Sequence, residues 1–577
     1  MAATRSQQLN NLNSKLNGAR PGDSEVQMSD SGSKRGGWIT FPFIIATMAG
    51  LTLAVGGAMA NLIVYLIGKF NVKSIDAAQI GNVVNGCSSL FPVIGAIIAD
   101  SFLGCYSVIS ISSFISLLGM VLFLLTATVD SLRPSPCGNG SILCKIPSKI
   151  QFGVLYAGIT LISIGVGGTR FTIATMGANQ FDDPKHHGIF FNWFFFTMYT
   201  SSVVSATAIV YVEDNVSWAM GFGLCVAANV IGLVIFLLGS RYYRHVKPQG
   251  SPFLDLAQVF VAAIRKRKVL LSSRSEDYYN EHDGVTSMML TEPTKSFKFI
   301  NRAALKTEKD IQLDGKITRS WRLCTVQQVE DLKTIIRIFP LWSTGILLST
   351  TIGIQSSLVV LQTLSMDRHI GPHFKIPAGS ILVTAFISTS ISLALIDRFL
   401  CPTWQKLTRQ SPTPLQRLGL GHVLNVLTMA VSALVESKRL DIVRANQVQD
   451  QPGYTVPMLA LWLLPQLVIV GIGEALHFPG QVALYYQEFP ASLRSMATAM
   501  IAMIIGIGFY LSTAVIDLFR KVTGWLPDNI NNGRLDNMYW MLAVVGVLNF
   551  GYYLVCARLY KYRSVEKVED DDSSSYK

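Results

Sequence analysis

Long apolar runs separated by short polar segments dominate the chain. A helix that spans a membrane needs about 20 mostly apolar residues. Runs of this length lie at roughly 41–67, 79–99, 106–128, 151–175, 190–212, 217–239, 335–363, 376–396, 415–435, 457–485, 496–518 and 537–559. The pattern therefore predicts an all-α membrane protein with about twelve transmembrane helices. A large buried helical core, the alternative, would not produce so many runs of this length.

The composition changes this picture little. Of 577 residues, 50% are hydrophobic and only 15% are charged, whereas soluble domains carry roughly 25% charged residues. The formal net charge is +12. Because the excess lies mostly between the apolar runs, we assign it to membrane topology and not to a nucleic-acid partner. No groove-reading module supports nucleic-acid binding.

One long polar loop, at about 240–334, divides the predicted spans into two sets of six. This arrangement is typical of transporters whose binding site lies near the midplane between two halves. The predicted domains, in chain order, are a disordered cytoplasmic tail at 1–36, a six-helix bundle at 37–240, a basic linker at 241–333, a second six-helix bundle at 334–562 and an acidic, serine-rich tail at 563–577.

Loop charge predicts the orientation. Basic residues cluster in the linker, at 265–268, and in the short loop after the eighth span, where Arg398, Lys406 and Arg409 lie. Cytoplasmic loops carry such an excess, so we expect these loops and both termini in the cytoplasm. A weak internal repeat fits two related halves, because Asp100 follows the second span and Asp397-Arg398 follows the eighth. We expect these three residues to have structural or gating roles.

The opposite side then receives a loop with two cysteines, and it also receives two glycosylation sequons. Cys137 and Cys144 form a close pair there, and a disulfide or two free thiols both fit the sequence. The sequons begin at Asn139 and Asn215. No Cys/His spacing resembles a zinc site, so we predict neither a metal nor a cofactor.

Several motifs together resemble the plant nitrate/peptide transporter family, a branch of the proton-dependent oligopeptide transporters in the major facilitator superfamily. The segments that carry the resemblance are Gly95-Ala96-Ile97-Ile98-Ala99-Asp100-Ser101, Gly167-Gly168, Gly177-Ala178-Asn179-Gln180-Phe181-Asp182, Phe190-Phe191-Asn192-Trp193-Phe194, residues 324–330, residues 415–421 and Gly471-Ile472-Gly473-Glu474-Ala475. The resemblance implies a twelve-helix major facilitator fold and a transport function. The opening Gly37-Trp38-Ile39-Thr40-Phe41-Pro42-Phe43 is similar to the nitrate-excretion subgroup.

The chain departs from that family in its first helix. Members usually carry Glu-x-x-Glu-Arg, which resembles a proton-coupling element, and the corresponding residues here are Met48, Leu51 and Thr52. A buried carboxyl can take up and release protons, but Met and Leu cannot. Proton-driven import, the usual family mechanism, is therefore not expected of this chain.

Arg170 in the fourth span is the main candidate for anion binding. A charge at that depth persists only if it is paired or lines a wet cavity, and the planar guanidinium suits a planar oxyanion. Its expected partner is Glu474, and the alternative role is a helix-locking salt bridge. Tyr65 and Gln355 are further candidate ligands, although hydrogen bonding between helices explains them equally well.

His477 follows Glu474 by three residues, so the two side chains can share one helix face. If His477 faces the cavity, its protonation would loosen the hold of Glu474 on Arg170 and raise anion flux at acidic pH. The alternative is a histidine packed between helices. The family more often has an uncharged residue at this position.

The motifs of hydrolases, nucleotide-binding proteins and metalloproteases are missing from the sequence, so we predict neither an enzyme nor an ATP-driven pump. The predicted function is plasma-membrane transport of nitrate, or of a similar small anion such as chloride, without obligatory proton symport. The alternatives are a proton-coupled importer of nitrate, peptides or an organic metabolite, and an anion sensor that does not transport. The sequence leaves the oligomeric state open.

Overall fold

Helices form most of the chain in the computed structural model, which describes residues 36–135, 146–181, 184–246, 248, 250–272, 274–280, 293–294, 296–307, 321–372, 374–410, 412–449, 451, 454–490, 493 and 496–560. Among these residues, 11 helical segments are long and apolar enough to cross a membrane. The helical run from Pro184 to Asn215 occupies the place of the fifth predicted span. The protein therefore has the predicted all-α, multi-pass architecture. Cys137, Cys144, Asn139 and both predicted tails from 1–35 and 561–577 lie outside the described residues.

The first half contains six spans, some of which are interrupted. Its helices are α1 (Phe41–Ala60), α2 (Leu62–Phe70), α3 (Ser74–Ile98), α4 (Cys105–Thr128), α5 (Lys149–Thr169), α6 (Thr172–Ala178), α7 (Pro184–Val204), α8 (Val210–Asn215) and α9 (Trp218–Leu238). A π-helical turn, Ser205–Ile209, joins α7 to α8. The first predicted span was expected to be continuous, but it is interrupted at Asn61, where one residue adopts a non-helical turn.

The linker and second half follow. Their helices are α10 (Pro252–Arg265), α11 (Lys298–Asn301), α12 (Val326–Ser365), α13 (Val383–Leu395), α14 (Cys401–Thr408), α15 (Pro414–Ala445), α16 (Leu464–Glu488), α17 (Met496–Val522) and α18 (Leu535–Leu559). Short strands β1 (Met366–Asp367) and β4 (Val456–Leu459) pair in parallel, and β2 (His369–Ile370) pairs antiparallel with β3 (Phe374–Lys375).

Two ends of the helical bundle can be distinguished by connectivity. We call the end where α9 finishes and α12 begins the linker end, and the opposite end, where α3 begins and α17 finishes, the distal end. The linker contributes a small apolar core of its own, formed by one face of α10 with residues such as Ile300 and Cys324. At this end the Gly250 amide donates a hydrogen bond to the Asp100 carbonyl.

The repeat predicted around Asp100 and Asp397 has a structural counterpart. Each aspartate lies in a five-residue π-helical turn, Ala99–Leu103 after α3 and Ile396–Leu400 after α13. Both turns end in an exposed Phe-Leu pair at the linker end. In the second turn, Arg398, which directly follows Asp397, is also exposed. The two halves thus share a local feature, while the gating role of these residues stays a prediction.

Close helix packing explains the glycines that precede Arg170. A Cβ atom on Gly95 would lie 2.2 Å from the Gly167 carbonyl oxygen, and one on Gly168 would lie 1.7 Å from the Ser112 hydroxyl. Only glycine allows α3, α4 and α5 to approach this closely. This packing fixes the end of α5 and therefore the starting point of the Arg170 side chain.

Candidate functional site

Arg170 occupies the turn between α5 and α6, where its backbone nitrogen still donates to the Val166 carbonyl at 3.1 Å. The preceding Thr169 and the following Thr172 are buried, but the Arg170 side chain is accessible. Many protein atoms nevertheless lie around it. An accessible side chain enclosed in this way lies in an internal cleft and not on the outer surface.

Glu474 lies in the second half, in α16, and its side chain is also both accessible and surrounded by protein. It is half-buried yet densely enclosed by protein, and the Thr389 side chain lies beside its carboxyl group. Tyr199 of α7 interacts electrostatically with both Arg170 and Glu474. The structure therefore brings a cation, a phenol and a carboxyl group to one cleft between the halves.

The predicted ion pair between Arg170 and Glu474 does not form. Among the described residues, no carboxylate oxygen lies within the 4.0 Å limit of an ion pair with Arg170. Tyr199 is the group near both charges instead. The helix-locking salt bridge, the alternative role considered for Arg170, is likewise missing from the part of the chain that the structure describes.

Two of the three positions aligned with the family's Glu-x-x-Glu-Arg element, Met48 and Leu51, are apolar. Met48 and Leu51 are 4% and 6% exposed and pack with Ile173 and Met176 of α6. The Thr52 hydroxyl lies 3.6 Å from the Met48 sulfur. α6, which begins at Thr172, thus packs against apolar side chains at two of the positions aligned with the family's Glu-x-x-Glu-Arg element.

Tyr65 and Gln355 are remote from the cleft described above. The Tyr65 hydroxyl is 2.8 Å from that of Thr126, and its ring packs among aromatic side chains in the core of the first half. The Gln355 amide nitrogen donates to the Ser432 hydroxyl at 3.1 Å, and the residue is 1% exposed. These contacts favour hydrogen bonding between helices as the role of both residues.

His477 lies in the core of the second half and is fully buried. Its ring meets that of His422 edge-on, with 5.1 Å between the centroids, and its Cβ packs against Gly421 of α15. Glu474, one turn earlier, faces Thr389 of α13 and Tyr199 of α7. The geometry favours the packed-histidine alternative over a position in the cleft.

Sequence reasoning missed several buried acidic residues of the described spans, among them Glu436 and Glu213. Glu436 and Arg439 of α15 form a fully buried ion pair, with 2.7 Å between Arg439 Nη2 and Glu436 Oε1. Glu213, near the end of α8, is 1% exposed. The i, i+3 spacing of Glu436 and Arg439 could have indicated the pair, whereas Glu213 follows an apolar run and looks like the start of a loop.

Among the described residues, three ion pairs join the halves at the distal end. Asp76 at the start of α3 pairs with Arg520 at the end of α17, and Lys73 pairs with Asp528 at 2.7 Å. Asp214 pairs with Arg368 at 3.3 Å. The halves are therefore closed against each other at this end.

Comparison with known proteins gives a consistent result. The family profile described as "PTR2: POT family" matches residues 106–532. The Arabidopsis thaliana protein NRT1/ PTR FAMILY 2.7 is 57% identical over 554 residues, covering 96% of this chain and 97% of the relative. NRT1/ PTR FAMILY 2.6 from the same plant is 55% identical over 562 residues, covering 97% and 100%.

Solved structures agree in fold. An auto inhibited POT family peptide transporter superposes with a TM-score of 0.65 at 17% identity, covering 91% of this chain and 97% of that chain. A POT family transporter in complex with 5-aminolevulinic acid has a TM-score of 0.62 at 13% identity, covering 90% and 97%.

The chain is a multi-pass membrane protein with the major facilitator fold of the solved POT family transporters. Its family and relatives are transporters and not enzymes. The chain belongs to the POT family, and its plant relatives place it in the NRT1/PTR family.

Proposed function

We propose that this chain moves nitrate, or a similar small anion such as chloride, across a plant plasma membrane by alternating access and down the anion's gradient. The observation that carries the proposal is the Arg170 guanidinium, which is enclosed within the protein, accessible, and without an acidic partner within 4.0 Å in the described residues. A lone charge in the membrane is costly, so a counter-ion that visits the cleft stabilises it.

Arg170 also suits the geometry of nitrate. Its planar fork presents several donors to one planar oxyanion and stays charged at all physiological pH values. Tyr199 supplies a hydroxyl close to the same charge. Glu474 contributes the opposing charge, which limits how tightly an anion is held and so favours its release.

Transport without proton symport is supported by the packing of the first helix. Met48 and Leu51 lie in an apolar cluster, so no proton can be exchanged at the two positions where the family has glutamates. The basic linker and the basic loop after α13 favour the cytoplasm for the linker end and for both termini. The lipid bilayer is then the only partner that transport requires besides the anion.

Proteoliposomes that contain purified protein test the proposal. Nitrate and chloride efflux should proceed with equal pH on both sides. Arg170→Ala should reduce the initial rate at least about tenfold, a change of about 1.4 kcal/mol, whereas Arg170→Lys should retain part of it because the charge survives without the fork.

Controls distinguish the alternatives. Monodisperse Arg170→Ala protein that conducts normally would refute the anion-binding role. Uptake of a dipeptide or of nitrate only with an imposed proton gradient would establish the proton-coupled importer. Nitrate binding by the parent protein with no flux would establish a sensor. Met48→Leu, which preserves the apolar wall, is the matched variant and should transport like the parent.

A further inference from the structure

Glu213 is a buried acid in the first half that the proposed anion path does not use. The side chain is 1% exposed, and neither carboxyl oxygen has a regular hydrogen-bond partner among the described residues. Gly221 packs against it so closely that a Cβ there would lie 2.2 Å from Glu213 Cγ. An ionised carboxylate in such a site costs several kcal/mol, so this enclosure favours the protonated form.

Asn61 is the polar side chain that faces Glu213. The Asn61 amide lies beside the carboxyl group, at the residue where the first span is interrupted between α1 and α2. Asn61 is itself 1% exposed and also lacks a regular hydrogen-bond partner in the part of the chain that the structure describes. Two buried polar side chains without regular hydrogen bonds thus lie side by side.

This pair lies at the seam between the halves. A Cβ atom on Gly379, in the second half, would lie 2.8 Å from Asn61 Oδ1 and from the Ala60 carbonyl oxygen. The next residue after Glu213, Asp214, makes the 3.3 Å ion pair with Arg368 of the second half. Separation of the halves at the distal end would move Gly379 away from Asn61 and Arg368 away from Asp214. Water could then reach Asn61 and Glu213.

The ionisable neighbours of Glu213 do not neutralise it. Asp214 on the same helix, Cys225 on α9 and Tyr65 on α2 interact with it electrostatically. Each of these three groups is neutral when protonated and negative when deprotonated, so none stabilises a carboxylate at Glu213. Arg368, a cation on the facing half, is engaged by Asp214.

We propose that Glu213 is a proton-binding site that is filled when the distal end closes and emptied when it opens. A proton from the distal solution converts the carboxylate to the neutral acid as the seam closes over it. The same proton returns to the same solution when the seam opens. The site therefore makes closure dependent on distal pH but carries no proton across the membrane, and it does not depend on which substrate the protein moves.

Distance measurements between spin labels test this directly. Val216→Cys and Ile370→Cys place labels on exposed positions of the two halves, 62% and 47% accessible, next to the Asp214–Arg368 pair. The parent for this experiment is the full chain in lipid nanodiscs with its reactive native cysteines replaced. The labels are close together when the distal end is closed and far apart when it is open. The ratio of the population with the short distance to the population with the long distance should rise as pH falls, by at most about tenfold per pH unit for one proton.

Glu213→Gln mimics the protonated acid and should hold the short distance at every pH. Infrared difference spectra between acidic and basic pH should show a carboxylic-acid C=O band in the parent that Glu213→Gln lacks. Asp214→Asn is the matched control. It removes the neighbouring carboxylate and the ion pair, and should shift the ratio towards the long distance while keeping the pH slope.

The proposal is overturned if Glu213→Gln keeps the parent's pH slope, if the parent shows no slope, or if the slope is lost in Asp214→Asn but kept in Glu213→Gln. If Glu213→Gln does not yield monodisperse protein, the infrared band of the parent decides. A parent with no protonated-acid band at the pH of closure contradicts the site.

Discussion

Arg520, near the end of α17, forms an ion pair with Asp76 near the start of α3, which joins the second half to the first at the distal end. The same guanidinium contacts Asp528 at 2.9 Å, and Asp528 in turn pairs with Lys73. A single arginine therefore connects two carboxylates that belong to different halves, and any opening of the distal end must break this network.

Asp76→Asn should destabilise the closed distal end by a modest amount. The Arg520 and Asp76 side chains are 28% and 42% exposed, and partly exposed pairs are worth about 0.2–1 kcal/mol. We expect the closed population to fall by no more than about fivefold, with a weaker effect at high salt. The label pair at Val216 and Ile370 reports the change, and Asp441→Asn, which affects an exposed ion pair within α15, should leave it unaltered.

Arg439→Met should strongly destabilise the second half. Arg439 and Glu436 are both fully buried, and Glu436 also accepts a 2.7 Å hydrogen bond from Gln362. Removing one partner of a buried pair costs about 3–5 kcal/mol because the other charge is left uncompensated. The double variant Glu436→Gln/Arg439→Met should recover much of the loss in a thermal unfolding assay.

The control lies one turn further along the same helix. Arg444 and Asp441 have the same i, i+3 spacing but are 45% and 72% exposed. Arg444→Met should therefore change the unfolding temperature very little. An equal loss in Arg439→Met and Arg444→Met would show that burial is not the determining factor.

His477→Gln should lower stability but leave the pH profile of anion flux unchanged. The imidazole packs against His422 and Gly421, away from Arg170. Flux is measured in proteoliposomes at a series of symmetric pH values, with His369→Gln, an exposed distal residue, as the control. If the acid response is lost only in His477→Gln, the gating role first considered for this histidine is correct.

Cys324 should report the integrity of the linker core. Burial raises the pKa of this thiol to about 12, and only the thiolate reacts with alkylating reagents. At about pH 8 its alkylation should be at least about a hundredfold slower than that of an exposed thiol. Val259→Asp, which places a charge in the same core, should accelerate the labelling, whereas the half-buried Cys401 should be unaffected.

The sequence predicted the spans well because hydropathy over about 20 residues is a strong local signal. The sequence-based prediction was wrong where a helix includes polar residues or where an apolar run is not helical throughout. The helix of the seventh predicted span, α12, begins at Val326 and not at about 335. Its first turns, which include Glu330 and Lys333, extend beyond the apolar run and are stabilised by contacts with the linker. The interruption at Asn61 lies inside an apolar run and carries no local signal stronger than one polar residue.

The candidate site was predictable only in part. Arg170 and Glu474 stand out because charges in apolar spans are rare. Their separation, with Tyr199 near both, depends on how α7 packs between the halves, and no spacing in the sequence encodes that. Tyr65 and Gln355 could not be distinguished from ligands, because a polar residue in a span looks the same whether it faces a cleft or another helix.

The zero-flux potential of nitrate in proteoliposomes tests the central claim of uncoupled anion transport most directly. With a tenfold nitrate gradient and equal pH, passive movement of one negative charge should balance at about 59 mV. This potential should stay the same when a gradient of one pH unit is added. A potential that shifts with the pH gradient, or electroneutral uptake driven by the pH gradient alone, would contradict it and establish proton coupling despite Met48 and Leu51.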